Sequence, residues 1–144
     1  MAEQTKDIQE KFVLYQLLNQ RLEEIKQHAT MIQHKMIEFE TSRLALSEMR
    51  SVKPESEILI PVGSGIYTFG KSSAPENVLI DLGAGVVAKK TMEEAAAHID
   101  KKRKEIEDAA QMLQGEANAI TAKLQEIVPE LQKAAEAQNA AGAS

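Results

Sequence analysis

Two glycine-bracketed segments are the first places where this sequence could do chemistry. Residues 63–65 (Gly-Ser-Gly) and 83–85 (Gly-Ala-Gly) place glycines close together, as phosphate-binding loops do. A dinucleotide-binding fingerprint needs a further glycine at fixed spacing and a helix that opens directly after it. Here a β-branched or aromatic run follows each segment, at residues 66–69 and 86–88. We therefore predict that both segments are turns and that they bind no cofactor.

Metal-ligand and acid–base chemistry also lack a matching pattern. His28, His34 and His98 do not share an i, i+4 helix face, and no Asp or Glu arrangement completes a ligand set. The acidic pairs at 23–24 and 93–94 fall on convex helix surface, where no pocket can shift a carboxyl pKa. The chain contains no cysteine, which excludes disulfides and thiol chemistry. We predict no catalytic residue, no metal and no cofactor, so the protein is not expected to be an enzyme.

Composition points to long helices exposed to solvent. Charged residues make up 27% of the chain and aromatic residues only 3%, which is little for a compact globular core. The net charge is −5, and the one basic run (101–104) is followed directly by acidic residues, so no nucleic-acid partner is expected. The polar start (1–7) does not resemble a signal peptide, and no window approaches a membrane span. We expect a cytoplasmic protein with no membrane contact.

Apolar residues repeat with heptad spacing in two long segments, 8–50 and 92–138. Such a repeat, sustained over several heptads, predicts coiled-coil helices. Arg43 and Arg103 interrupt the two seams. They are expected to pair with acids such as Glu40 or Glu107, or with a partner subunit, and we favour a role in fixing the register. The first seam contains Ile8, Lys11, Tyr15, Leu18, Leu22, Ile25, Ala29, Ile32, Met36, Phe39 and Leu46. The second contains Met92, Ala96, Ile99, Ile106, Ala110, Leu113, Ala117, Ile120, Leu124, Ile127, Leu131 and Ala134.

Local signals mark the ends and the weak points of the second helix. Residues 91–94 (Thr-Met-Glu-Glu) form a capping box, in which the side chains of Thr91 and Glu94 satisfy unpaired backbone donors. Gly115 and Pro129 fall on the outer face in this register, and Pro129 is expected to kink or restart the helix. The small residues at 139–144 predict a disordered tail.

The segment between the helices, 51–91, predicts two β-hairpins. It holds five of the seven glycines and three of the four prolines. Strands are expected at 58–62 and 66–69, and again at 78–82 and 86–90, each pair joined by about three residues that include glycine. The fold class is therefore mainly α with a small β module. The whole chain, 1–144, forms one domain: a long antiparallel coiled-coil hairpin joined by two β-hairpins.

Two isolated hairpins are marginal in water and would leave apolar strand residues and strand edges uncovered. We therefore interpret the β module as an assembly device that pairs with strands of other chains. If each helix instead formed a parallel dimer with another chain, the β module would have no helix pair to pack against. We therefore favour antiparallel pairing of the two helices within one chain. The candidate assembly residues are Ile58, Ile60, Val62, Ile66, Val78, Ile80 and Val87.

In this order and spacing, the chain resembles the α-class subunit of archaeal-type prefoldin. The resemblance rests on residues 58–63 (Ile-Leu-Ile-Pro-Val-Gly), on 78–87 (Val-Leu-Ile-Asp-Leu-Gly-Ala-Gly-Val-Val) and on the flanking long helices. It implies a hetero-hexamer of two α and four β-class subunits, with the hairpins in a β-barrel platform. It also implies a chaperone that holds unfolded client proteins without ATP, at the coiled-coil tips, and delivers them to a group II chaperonin.

The residues themselves leave a second function open. A coiled-coil scaffold or adaptor that bridges two folded partners, without affinity for unfolded chains, has the same heptads. An exchange-factor-like protein fits less well, since its β domain would follow the helices instead of separating them.

The candidate client site lies at the free end of the coiled coil. Apolar residues there are off the seam and have no core to enter, and exposed apolar patches usually mark interaction sites. Packing around frayed helix ends is the competing interpretation. The candidate client-binding residues are Phe12, Val13, Leu14, Leu17 and Val128.

Overall fold

The computed structural model describes residues 2–73 and 76–142 and confirms the predicted order of helix, two hairpins and helix. Helix α1 spans Ala2–Met49 and helix α2 spans Met92–Gly142. The strands between them are β1 (Glu57–Gly63), β2 (Ile66–Lys71), β3 (Asn77–Gly83) and β4 (Val86–Thr91). Strands β1 and β2 form one antiparallel two-stranded sheet, and β3 and β4 form another.

The chain divides into two compact units. We call residues up to Gln33 and from Glu107 onward the terminal unit, and His34–Ile106 the hairpin unit. Each unit contains a stretch of both helices, and within each unit the two stretches pair antiparallel. The ion pairs that show this are Lys11–Glu130 and Arg21–Glu116 in the terminal unit, with Arg43–Asp100 and Arg50–Glu93 in the hairpin unit.

Burial follows the predicted seams closely. Along α1 the seam residues are buried or half-buried, except for Ala29 and Arg43, which are exposed. Along α2 all predicted seam residues are buried or half-buried, and the exception is again an arginine, Arg103. The heptad pattern therefore located the helix–helix contact. The most deeply buried side chains are Ile25, Ile120 and Ile127 in the terminal unit and Met92, Ala95 and Ala96 in the hairpin unit.

Both ends of α2 can be explained from local sequence. The backbone N–H of Glu94 donates to Thr91 Oγ1 (3.1 Å) and the N–H of Thr91 donates to Glu94 Oε2 (2.9 Å), which confirms the capping box. At the other end the helix runs to Gly142, beyond the predicted end at 138. Alanine has the highest helix propensity, and five of the eight residues at 134–141 are alanine, so the helix continues past 138, whereas a disordered tail was predicted from 139. Residues 143–144 of the predicted tail lie outside the described residues.

Pro129 does not restart α2. The helix continues through it, and Pro129 is exposed, as is Gly115, on the outer face where the heptad register places both. The neighbours Ile127 and Leu131 remain buried or half-buried in the contact with α1. Packing on both sides of the proline offsets the single backbone hydrogen bond that it removes.

The two hairpins share one turn geometry, which is tighter than predicted. Strands reach Gly63 and Gly83, so two residues, not three, connect each pair. The central residues Ser64 (φ 50°) and Ala84 (φ 51°) are each followed by a glycine with positive φ, which is the pattern of a type I′ turn. The pairing shifts register between Pro61 and Gly63, and equally between Asp81 and Gly83, so a bulge precedes each turn.

Candidate functional site

The terminal unit carries an open apolar groove of about 740 Å³ between the first turns of α1 and the last turns of α2. Phe12 is 50% exposed and Val13 is 54% exposed, so neither is absorbed by the helix–helix contact. The groove is lined by Ile8, Gln9, Phe12, Val13, Tyr15, Val128, Leu131, Gln132, Ala134, Ala135 and Gln138. The arrangement presents apolar side chains from both helices to solvent in one concave surface.

A second, shallower groove lies beside the first on α1. It contains Leu14 and Leu17, of which Leu17 is 58% exposed, and it shares Gln9 and Val13 with the first groove. The structure therefore distributes the predicted client-binding set over two adjoining surfaces. Phe12 and half-buried Val128 line the larger groove, while Leu14 and Leu17 line the smaller one. The heptad pattern identified these residues as off the seam, but it did not show the division.

Ion pairs hold the helices together beside the larger groove. Lys11 Nζ lies 2.7 Å from an Asp7 carboxylate oxygen and 2.5 Å from one of Glu130. The hydrogen bonds that Lys11 donates to Asp7 and then to Glu130 raise the pKa of its ammonium above the usual range. This lysine stays charged and ties the start of α1 to α2.

Arg21 forms a similar bridge deeper in the terminal unit. Its guanidinium donates to both carboxylate oxygens of Glu116 (2.6 and 3.0 Å) and to Glu24 (3.0 Å). The two parallel bonds to Glu116 are the bidentate geometry in which arginine binds carboxylates best. They raise the pKa of Arg21 and lower the pKa of Glu116 from its ordinary value of 4.5.

This pair predicts a pH dependence of stability. Because the folded-state pKa of Glu116 is depressed, its contribution is present above the unfolded-state pKa and disappears as the pH falls through the folded-state value. We expect Glu116→Gln to lower the melting temperature slightly at pH 7, since exposed ion pairs contribute little. As the pH falls through the folded-state pKa of Glu116, the melting temperatures of wild type and variant should converge. Thermal unfolding followed by circular dichroism across pH 2–8 measures this, and a difference that persists unchanged at low pH would contradict it.

In the hairpin unit, Arg43 pairs with a residue that was not predicted as its partner. Arg43 interrupts the seam of α1, and its Nε donates to Asp100 Oδ1 on α2 at 3.1 Å. The predicted partner, Glu40, is one turn away on the same helix, and the actual partner lies across the seam. A pair between the two helices links a fixed position on α1 to a fixed position on α2. This fits a role in setting the register better than a bond within α1 would.

The predicted assembly residues fall on two different sides of the hairpins. Val78 and Ile80 are half-buried and border a cleft of about 480 Å³, whose other walls come from α1 and α2. Part of their burial is thus within this chain. The remaining predicted residues are exposed: Ile58 (37%), Ile60 (43%), Val62 (63%), Ile66 (63%) and Val87 (55%).

Sequence reasoning missed three strongly exposed apolar residues of the strands. Leu59 is 60% exposed, Phe69 73% and Leu79 72%. Leu59 and Phe69 are directly opposite each other in the β1–β2 register. Because side chains alternate along a strand, Leu59 and Phe69 lie on the face of the hairpin opposite to that of Ile58 and Ile60. Predicting that both faces of residues 58–62 are exposed would have included Leu59. Both faces of this hairpin therefore offer apolar surface.

No group of three His, Cys, Asp or Glu side chains within residues 2–73 and 76–142 is arranged to hold a metal ion. Nor does any helix in that part of the chain have the length and apolar character needed to cross a membrane.

Comparison with known proteins identifies the family. A family model described as Prefoldin subunit matches residues 18–137, which cover most of both helices and the whole β module. The chain belongs to the prefoldin family. It is 30% identical to prefoldin subunit alpha 1 of Thermococcus kodakarensis, over 73% of this chain and 72% of that one. It is 24% identical to the prefoldin α subunit of Pyrococcus horikoshii, over 96% and 95%.

Solved structures show the same fold. A chain of the filamentous PFD from Methanocaldococcus jannaschii, determined by cryo-EM, superimposes with a TM-score of 0.74 at 18% identity, over 81% of this chain and 97% of that one. The prefoldin β subunit from Thermococcus strain KS-1 gives a TM-score of 0.55 at 19% identity, over 89% and 91%.

These similarities confirm the resemblance to α-class prefoldin subunits. The protein is a subunit of a molecular chaperone, and prefoldin is a family of chaperones without enzymatic activity. The grooves of the terminal unit and the exposed strands of the hairpin unit are therefore the candidate interaction surfaces of a chaperone subunit.

Proposed function

We propose that this chain is the α-class subunit of a cytoplasmic hetero-hexamer with two α and four β subunits. The complex holds unfolded proteins without ATP and delivers them to a group II chaperonin. The client site in this subunit is the pair of grooves in the terminal unit, formed by Phe12, Val13, Leu14, Leu17 and Val128. The hairpins join the subunits.

The open apolar groove of the terminal unit is the observation that carries this proposal. A folded partner would need a surface shaped to it, but an unfolded chain needs only exposed apolar area and an open path. A client segment that buries about 200 Å² of apolar surface there gains about 5 kcal/mol before ordering costs. Binding at one subunit is then weak and reversible, and several subunits acting together supply the affinity.

The exposed strands support assembly through the β module. Each sheet has only two strands, so every described strand has one edge without a strand partner. Unpaired edges and apolar faces of this kind are ready to add strands from another chain. The candidate residues for this contact are Ile58, Ile60, Val62, Ile66, Val78, Ile80 and Val87, to which the structure adds Leu59, Phe69 and Leu79.

A test of the proposed function is suppression of aggregation without nucleotide. We expect the full chain, mixed with a purified β-class prefoldin subunit, to reduce light scattering from a chemically denatured unrelated protein diluted into buffer. Adding ATP to this mixture should not change the suppression of scattering, since no nucleotide site takes part. Undiminished scattering at a twofold excess of complex would contradict the proposal.

A further inference from the structure

The negative charge of the protein is concentrated in the terminal unit. That unit contains six Lys and Arg residues and eleven Asp and Glu residues, a net charge of −5, which is the net charge of the whole chain. The hairpin unit contains eleven of each and is neutral. The unit that carries the grooves is therefore the acidic one.

The larger groove itself is uncharged, and the charge lies around it. Within the described residues its lining consists of apolar side chains, a tyrosine and three glutamines. On one side Lys11 is shared by Asp7 and Glu130, so this cluster has one negative charge in excess. Glu136 is exposed and adjoins the lining residue Ala135. Exposed Glu10 borders the smaller groove next to Gln9, and so does one cation, Lys6. No ion pair among the described residues engages either carboxylate.

We propose that this groove selects unfolded segments in which apolar side chains alternate with Lys or Arg. This rests on the proposed client-binding function and names the class of segment that it takes. The apolar side chains enter the groove, and the cations reach the carboxylates at its rim. Acidic segments of equal apolar content are repelled by the same rim.

The preference depends on ionic strength. Exposed charge pairs contribute little individually, but two or three around one groove sum to a three- to tenfold difference in affinity. At 0.02 M salt the Debye length is about 20 Å, so the rim acts on the whole bound segment, while at 0.5 M it is about 4 Å and the rim charges are largely screened. Apolar burial is not weakened by salt in this way.

Three labelled peptides without stable structure test the proposal. They share the same apolar residues and differ only in the interleaved residue, which is Lys, Gln or Asp. Fluorescence anisotropy with the full chain should give affinities in the order Lys, Gln, Asp at 0.02 M salt, with at least a threefold step between Lys and Gln. At 0.5 M salt the three affinities should agree within about twofold.

Two matched double variants test whether the charge preference arises at the rim of the groove. Glu10→Gln with Glu136→Gln should lower the Lys-to-Gln affinity ratio toward one, the excess charge of the Lys11 cluster remaining in place. Glu40→Gln with Glu48→Gln makes the same change of charge in the hairpin unit and should leave that ratio as in wild type. Equal binding of all three peptides by wild type, or loss of the ratio in the hairpin-unit variant only, overturns the proposal while leaving the client function intact. If no peptide binds at any salt concentration, the proposed client site is also wrong.

Discussion

Leu79→Asp is expected to abolish assembly with a β-class prefoldin subunit while leaving the helices folded. Leu79 is 72% exposed on β3, so the change costs little in the isolated chain. In an assembled sheet the introduced carboxylate would lose its water without gaining a partner, which costs several kcal/mol. Sedimentation of the mixed subunits should show a loss of the large species, and far-ultraviolet circular dichroism should be unchanged.

Two comparisons make this test specific to the strand surface. Gln111→Asp adds the same charge to an exposed position on α2 and should assemble as wild type does. Ile80→Asp, at one of the predicted assembly residues, is a poorer probe because Ile80 is half-buried beside the helices of its own chain. Its effect would mix lost assembly with lost folding. If Leu79→Asp forms the same complex as wild type, this face of the hairpin takes no part in assembly.

The parts of the fold that sequence predicted best are those with a strong period or a short local motif. The seam of α1 is a repeat sustained over more than four heptads, so one misplaced residue such as Arg43 cannot obscure it. The capping box at Thr91 and Glu94 is set by bonds between residues three apart, and no distant contact is needed to form it. Both predictions depend on information contained within a few turns of chain.

Other features depend on contacts that no local pattern contains. Residues 58–62 are apolar at every position, so alternation cannot tell which face is turned to the helices and which is exposed. The partner of Arg43 lies 57 residues away in sequence. Only the register in which the two helices pair brings Asp100, and not Glu40, to the arginine. The two-residue turns were obscured because the bulges at Val62 and Leu82 let the strands continue up to each glycine.

The candidate client site shows the same division. Heptad position identified Phe12, Val13, Leu14 and Leu17 as apolar residues outside the seam. Whether such residues stay exposed or pack against neighbours is decided by the helix across the seam, and the structure leaves Phe12 and Val13 at least half exposed. The groove they form also needs Val128 and Leu131 from α2, which are more than 100 residues away in sequence. Sequence thus supplied the residues and the fold supplied the surface.

Replacing these four residues, Phe12, Val13, Leu14 and Leu17, with Ser should remove most of the aggregation suppression by this subunit. The change deletes apolar surface from both grooves but leaves the seam residues Tyr15 and Leu18 in place. Helicity should fall only slightly, since serine is a weaker helix former than leucine but about equal to phenylalanine and valine. The assay is light scattering of a denatured client, with wild-type β-class subunits present at constant concentration.

The chain offers a matched control, because four other large apolar side chains are at least as exposed but lie away from the grooves. They are Met31 (63%), Ile37 (61%), Leu44 (59%) and Met112 (77%). Changing these four to Ser removes a comparable amount of exposed apolar surface at a similar cost in helix propensity. If general stickiness of the coiled coil held clients, this control would lose as much suppression as the groove variant. We expect it to retain most of it.

Half-variants divide the effect between the two grooves. Phe12→Ser with Val13→Ser removes two exposed side chains from the α1 side of the larger groove, of which Val13 is shared with the smaller groove. Leu14→Ser with Leu17→Ser changes only the smaller groove. Since the larger groove has walls from both helices, it encloses more of a bound segment, and the first pair should cost more suppression than the second. Suppression by the four-residue variant equal to that of wild type would assign client binding to the β-class subunits instead.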